Sequence, residues 1–124
     1  MRLEGKTAIV TGGGSGFGAG IARVLAREGA EVMVADINAQ AAGQIAEETG
    51  GRAQEVDVAD GASVAAMTAA AMEAWGRIDI LVNNAGITHM PAPMEEVSEE
   101  DFDRVLAVNA KSVYLTARAI VPNM

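Results

Sequence analysis

Thr7-Ala8-Ile9-Val10-Thr11-Gly12-Gly13-Gly14-Ser15-Gly16-Phe17-Gly18 decides the fold. A short apolar run, Thr7 to Val10, breaks into glycines. Ala19 to Glu28 then carries Ile21, Ala22, Val24, Leu25 and Ala26 at helical spacing and stops at Gly29. The order is strand, glycine turn, helix. Glycine lets a chain turn tightly and brings backbone N–H groups close to a phosphate, and a helix N-terminus adds partial positive charge. The pyrophosphate of a dinucleotide fits such a turn, but so does a flexible glycine loop with no ligand. Gly5-Lys6-Thr7 imitates the end of a P-loop but lacks the glycine that motif needs five positions earlier.

The same alternation continues outward. Glu31-Val32-Met33-Val34-Ala35 reads as a second strand ending at Asp36, and Asn38 is placed to cap a helix running to about Thr49 before Gly50-Gly51. Arg52 to Val56 is a weaker third strand. Asp60 or Ser63 caps a helix to Trp75, which Gly76 ends. Asp79-Ile80-Leu81-Val82 is the fourth and most uniformly apolar strand. A Pro-bearing loop, Thr88 to Pro93, leads to a single last helix from Ser98 to about Ile120, with Glu99, Glu100 and Asp101 in its first turn. Strands alternating with helices predict an α/β fold, a doubly wound parallel sheet with helices on both faces. Uniformly apolar strands suit a sheet buried on both sides.

Composition bounds what this fold can do. With 124 residues, half of them hydrophobic and 21% charged, the chain is one domain with a packable core. Aromatics are 3%, so the core is aliphatic. A net charge of -8 argues against nucleic acid or an anionic membrane surface as partner. It leaves room for one bound nucleotide. Without cysteine there is no disulfide, zinc–thiolate site or Cys nucleophile, and one histidine, His89, excludes a multi-histidine metal site. No stretch approaches the ~18 apolar residues of a membrane span, and Met1 to Lys6 lacks a signal-peptide pattern. The expected compartment is the cytoplasm.

Three further stretches carry chemistry. Asp36 stands 18 residues after Gly18, where a carboxylate accepts from the hydroxyls of an adenosine ribose. It would repel a 2′-phosphate, and Gly13, Gly14 and Ile37 offer no cation, so NAD is favoured over NADP. A helix-capping or loop aspartate is the plainer reading of Asp36. Asp57-Val58 follows strand three, either to accept from the adenine amino group or as part of a polar turn. Asn83-Asn84-Ala85-Gly86 sets two amides and a tight turn at the C-terminal end of strand four, the edge where open α/β sheets bind ligands.

Thr-Gly-x-x-x-Gly-x-Gly at 11–18, the acid at 36, Asp-Val at 57–58, Asn-Asn-Ala-Gly at 83–86 and Asn109 in Phe102-Asp103-Arg104-Val105-Leu106-Ala107-Val108-Asn109 together resemble the short-chain dehydrogenase/reductase family. The likeness is strongest to bacterial members of the 3-oxoacyl-carrier-protein reductase and sugar dehydrogenase type, and it runs the whole chain. It implies a Rossmann-type sheet of about four strands here, in order 3-2-1-4. By the resemblance, Gly12, Ser15, Gly16, Phe17 and Gly18 bind the cofactor pyrophosphate. Asp36 holds the adenine ribose with Ile37 beside it, Asp57 and Val58 flank adenine, and Asn84, Ala85 and Gly86 lie along the cofactor. Asn83 is expected to brace the sheet through Thr11. Asn109 is the family's catalytic Asn, which anchors a water in a proton relay. The implied reaction is hydride transfer between NAD and an alcohol or ketone carbon of a small molecule. The implied assembly is a homo-oligomer, dimer or tetramer, at full length.

The family also uses a Ser and a Tyr-x-x-x-Lys pair, which the resemblance puts downstream of the last helix. Residues 1–124 are thus expected to be the NAD-binding Rossmann domain of a fragment, cut before a fifth strand and inactive by itself. Tyr114-Leu115-Thr116-Ala117-Arg118 imitates the pair, but it stands five residues after Asn109 in the same helix, and arginine is no close substitute for lysine. Ser112 is likewise too early, His89 reads as a loop residue and Lys111 as a surface charge. An inactive nucleotide-binding module is the alternative function. A Rossmann-like methyltransferase would share the glycine turn and Asp36 but has no call for Asn-Asn-Ala-Gly or Asn109.

Overall fold

The computed structural model describes residues 1–124. Four strands, β1 (Thr7–Thr11), β2 (Glu31–Asp36), β3 (Arg52–Glu55) and β4 (Ile80–Val82), form one parallel sheet in the order β3-β2-β1-β4. The register sets Ile9 beside Met33 and Leu81, and Val10 beside Val34 and Val82. Successive strand residues point to opposite faces, so the sheet splits the core in two. Ile9, Met33 and Ala35 pack with Val64, Met67 and Ala71 of α3 (Gly61–Trp75) and with Ile120 of α5 (Ser112–Ile120). Val10, Val32 and Val34 pack on the other face with Ala19 and Ala22 of α1 (Gly16–Arg27) and Ala42, Ile45 and Ala46 of α2 (Ala39–Thr49). The expected Rossmann-type architecture, strand order and two helical layers are all present.

Helix ends follow local chemistry. Asn38 accepts from the Ala41 N–H and Asp60 from the Ala62 N–H, and Gly50 and Gly76 close α2 and α3 in the left-handed region. Asp60 is the α3 cap; the Ser63 hydroxyl instead accepts from the Asp57 N–H at 2.9 Å. Ser98 caps α4 (Glu99–Leu106) by accepting from the Asp101 N–H.

Besides one-residue shifts such as the end of β1 at Thr11 and the start of β4 at Ile80, three boundaries differ from the sequence reading. Helix α1 begins at Gly16 rather than Ala19, because Gly16 takes a φ of +54° at its start and side-chain-free Gly18 lets the first turn press against the Gly12 carbonyl. Strand β3 stops at Glu55, although Val56 still donates to the Asp36 carbonyl at 3.0 Å. The last helix is not one regular rod. Between α4 and α5 a π-helical turn, Ala107–Lys111, widens the coil, and Asn109 lies within it. A short 3-10 turn, Met94–Glu96, precedes α4.

At the opposite end of the sheet, Asp79 ties β4 to β1. Its Oδ2 accepts from the Thr7 N–H at 2.9 Å and from Arg77 Nε at 3.1 Å, while Arg77 also donates to the Gly5 carbonyl. These donors, the Thr7 N–H foremost, hold the Asp79 carboxyl below the usual carboxylate range.

Candidate functional site

Chain order puts the site where the sheet reverses direction. From β1 the chain winds outward through β2 to β3, and β4 returns to the other side of β1. At that switch point the loops leaving the strands' C-terminal ends diverge and leave a crevice. A cleft of about 370 Å3 occupies it, wide enough for a nucleotide.

The turn after β1 forms its floor. Gly12 has a φ of +63°, open to glycine at little cost, and a Cβ there would lie 2.9 Å from the Ala85 Cα. Gly18 is tighter: a Cβ would lie 2.1 Å from the Gly12 carbonyl oxygen and 2.5 Å from Asn84 Nδ2. The loops after β1 and β4 therefore touch through glycine. Thr11 stitches them together, its hydroxyl accepting from the Asn84 N–H at 3.1 Å and the Ala85 N–H at 3.2 Å while donating to the Val82 carbonyl. Asn84 Nδ2 closes the seam by donating to the Gly12 carbonyl at 3.2 Å.

Helix α1 points its N-terminus at the cleft. Ser15, the cap residue, makes no side-chain cap hydrogen bond, and no acid stands in the first turn. The first N–H groups of a helix have no partner within it, so this terminus keeps its donors and its partial positive charge for an outside anion. Such a donor set fits a pyrophosphate.

Asp36 is held at the cleft edge by backbone on both sides. Oδ2 accepts from the Gly14 N–H at 2.9 Å and Oδ1 from the Asn38 N–H at 3.0 Å. Each carboxylate oxygen retains a lone pair for a ligand hydroxyl. Asp57 is less committed to the cleft; its Oδ1 accepts from the Ala59 N–H at 3.0 Å in the turn before α3.

Of the residues flagged in the sequence, Gly12, Ser15, Phe17, Asp36, Ile37, Asp57, Val58, Asn84, Ala85 and Gly86 all line this one cleft. Gly16 and Gly18 do not. Gly16 opens α1, and Gly18 is buried beneath the turn, shaping it from behind. Asn109 is also outside the lining; its neighbour Val108 takes that place. The Asn109 amide makes a reciprocal pair with the backbone of Ile87, Oδ1 accepting from the N–H and Nδ2 donating to the carbonyl, both at 2.7 Å. Asn83 is not bound to Thr11. Its Oδ1 accepts from the Thr116 hydroxyl at 2.8 Å, joining the end of β4 to α5, because the Thr11 hydroxyl is already filled by the neighbouring backbone. Sequence reasoning missed Val56 and Val108 as cleft residues and Gly14 as the donor that fixes Asp36. Each adjoins a flagged residue or lies in the glycine motif, which was the available signal. No group of three or more His, Cys, Asp or Glu side chains is arranged to hold a metal. No helix is long and apolar enough to cross a membrane.

Comparison with known proteins agrees with this geometry. The family model for short chain dehydrogenase matches residues 6–124. D-threitol dehydrogenase of Mycolicibacterium smegmatis is 44% identical over 100% of this chain and 49% of its own length. The 4-formylbenzenesulfonate dehydrogenase of Comamonas testosteroni is 48% identical over 99% of this chain and 51% of its own. A crystal structure of 3-ketoacyl-(acyl-carrier-protein) reductase from Brucella melitensis, complexed with NADH, superposes with a TM-score of 0.95 at 45% identity. It is matched over 98% of this chain and 51% of that one. The chain thus spans about half the length of the relatives it matches.

Proposed function

This chain belongs to the short-chain dehydrogenase family, and on that premise we propose that residues 1–124 are the NAD-binding portion of an oxidoreductase acting on an alcohol or ketone carbon of a small molecule. The observation that carries this reading is the convergence on one cleft of an uncapped helix N-terminus, a backbone-clamped carboxylate and the Asn84–Gly86 turn. The adenosine end lies along Asp36, Ile37, Asp57 and Val58. The pyrophosphate sits on Gly12, Ser15 and the first turn of α1, and the nicotinamide end runs towards Asn84, Ala85, Gly86 and Ile87. The bound cofactor supplies hydride donation and acceptance.

The chain's own residues orient and select. Asp36 receives the ribose hydroxyls, and its charge disfavours a 2′-phosphate at the same place. Ser15 and Ile37, the cleft residues flanking that point, carry no positive charge to offset the repulsion. NAD over NADP follows. Asn109 acts here as a positioning residue: it fixes the Ile87 backbone and with it the wall beside the reacting carbon. Residues 1–124 contain no Tyr-x-x-x-Lys, and Tyr114 spends its hydroxyl accepting from Arg118 Nη1 at 3.2 Å on an exposed helix face. The 124-residue polypeptide is therefore assigned cofactor binding without turnover. The relatives' names span a linear polyol and a sulfonated aromatic aldehyde, so they leave the substrate class open.

Titration of the 124-residue chain with NADH and NADPH, followed by nicotinamide fluorescence, tests this reading. The expected result is saturable NADH binding, weaker NADPH binding, and a narrowed difference in Asp36→Ala. Equal affinity for the two cofactors in the unaltered chain would overturn the NAD assignment.

A further inference from the structure

Consecutive glycines follow Thr11, and each is small for a different neighbour. A Cβ at Gly12 would meet the Ala85 backbone. One at Gly13 would lie 2.9 Å from Val34 Cγ1 and 3.0 Å from the Val10 carbonyl oxygen, inside the packing of the sheet itself. One at Gly14 would lie 2.9 Å from Asp36 Oδ2 and 2.9 Å from the Ala41 Cβ. The Gly14 N–H also donates to that same Oδ2, at 2.9 Å. Gly14 itself is not among the residues lining the cleft, and its φ is not positive. Its backbone would accept a side chain, so what this glycine supplies is space and a donor.

The two neighbours of Gly14 differ in how readily they give way. Ala41 lies in the first turn of α2, where the Asn38 side chain accepts from its N–H at 3.0 Å and the next residue, Ala42, is fully buried in the core. The Asp36 carboxylate is the free end of a rotatable side chain. A methyl group at position 14 would therefore turn the carboxylate off the Gly14 N–H and leave it with the Asn38 N–H alone.

We propose that Gly14 is a positioning residue for cofactor selectivity, holding the Asp36 carboxylate towards the ribose through its N–H and through the Cβ it lacks. This rests on the cofactor reading above, because it takes Asp36 to be the group that receives the ribose. A carboxylate clamped by a backbone donor on each oxygen meets the ribose hydroxyls already ordered, and the cost of ordering it does not subtract from binding. The clamp also fixes where its charge stands, and a 2′-phosphate is repelled only if that charge stays in its path. Gly14 thus acts on the choice of cofactor without touching the cofactor.

NADH and NADPH are titrated, with nicotinamide fluorescence as the readout, into the unaltered chain, Gly14→Ala, Asp36→Ala and the double variant. Gly14→Ala is expected to lower NADH affinity about tenfold, the effect of one lost hydrogen bond to a charged group. NADPH affinity should fall by less, so the preference narrows. With Asp36→Ala in place, adding Gly14→Ala should leave the NADH-to-NADPH ratio unchanged, because the group it positions is gone. Amide exchange gives a second reading: in Asp36→Ala it should quicken at Gly14, while Gly13, whose N–H donates to the Ala35 carbonyl at 3.1 Å, stays protected. Equal loss of both cofactors in Gly14→Ala overturns the proposal, for then the whole turn has moved. Further narrowing in the double variant, or unchanged exchange at Gly14, overturns it as well. So does a Gly14→Ala chain that fails to fold, since the carboxylate is then not the part that yields. A preference for NADH that Gly14→Ala leaves intact overturns this inference alone. Absence of NADH binding in the unaltered chain overturns the cofactor reading, and this inference with it.

Discussion

Two glycines of the first helix separate geometry from composition. Gly18 and Gly20 are two positions apart in α1, yet a Cβ at Gly18 would strike the Gly12 carbonyl, whereas one at Gly20 would meet no atom within 4 Å. Gly18→Ala forces the helix away from the turn and is expected to destabilise by roughly 1–3 kcal/mol, as overpacking does. It should also weaken NADH binding, since the displaced turn is the proposed pyrophosphate floor. Gly20→Ala is expected to stabilise by about 0.4–1 kcal/mol by restricting the unfolded chain. Urea unfolding of both variants, with the cofactor titration alongside, checks the contrast; a neutral Gly18→Ala would mean the two loops are not in contact. Asn109 gives a second prediction at this scale. Asn109→Ala removes both bonds to Ile87. Their site is solvent-exposed, so the expected loss of stability is only about 1 kcal/mol. The sharper readout is amide hydrogen exchange, which should quicken at Ile87 while the α1 amides stay protected. Unchanged exchange there would remove Asn109 from its positioning role.

Strands β1 and β4 are joined at both ends by side chains, and the two joints do different things. At the C-terminal end Thr11 binds the Asn84 and Ala85 amides and shapes the cleft. At the N-terminal end Asp79 binds Thr7 and Arg77 far from it. Because the Asp79 carboxyl titrates below its ordinary value, the folded state favours the carboxylate. Its stabilising contribution is full above the unfolded aspartate value, about 3.9, and is lost as pH falls through the depressed folded value. The melting temperature of Asp79→Asn should therefore lie below that of the unaltered chain at pH 7, and the gap should close as pH drops below about 4. A gap that stays constant with pH would show that charge is not what Asp79 contributes. How much of this was legible in the sequence depends on the range of the interaction. Asn38, Asp60 and Ser98 could be proposed as caps because a cap is a contact of a few residues, and the continuous burial of β1 and β2 is visible in their apolar runs. The π-helical turn at Ala107–Lys111 left no mark in the periodicity, since residues 99–120 read equally well as a regular helix. The Thr116–Asn83 bond spans 33 residues and depends on how α5 lies across β4. Local pattern does not fix that distance, and the Thr11 hydroxyl, the partner expected for Asn83, was already filled by backbone amides.

At the scale of the whole molecule the sheet is unevenly covered. Strand β4 pairs with β1 on one side and has no strand on the other, and Ile80, Leu81 and Val82 are each only half-buried. A short distance along the chain, α4, the π-turn and α5 leave Phe102, Leu106, Val113 and Tyr114 exposed. An open apolar strand edge is a template for pairing with another chain, and exposed apolar side chains on the adjoining helices add to the drive for association. With a net charge of -8, self-repulsion opposes this, and salt screens such repulsion over about 8–10 Å at physiological ionic strength. The 124-residue chain is therefore expected to self-associate in a concentration-dependent way, more strongly as salt rises. An association held together by charge pairs would respond to salt in the opposite sense. Sedimentation velocity at two salt concentrations reads both effects at once. Introducing a charge beside the open edge with Ile80→Lys, whose side chain belongs to neither core layer, should shift the population towards monomer only if the edge takes part. If Phe102→Ser does so while Ile80→Lys does not, the helical face is the contact. A monodisperse monomer with one sharp thermal transition under all these conditions would mean that the two core layers, Ile9–Met33 on one face and Val10–Val34 on the other, satisfy the sheet without a partner.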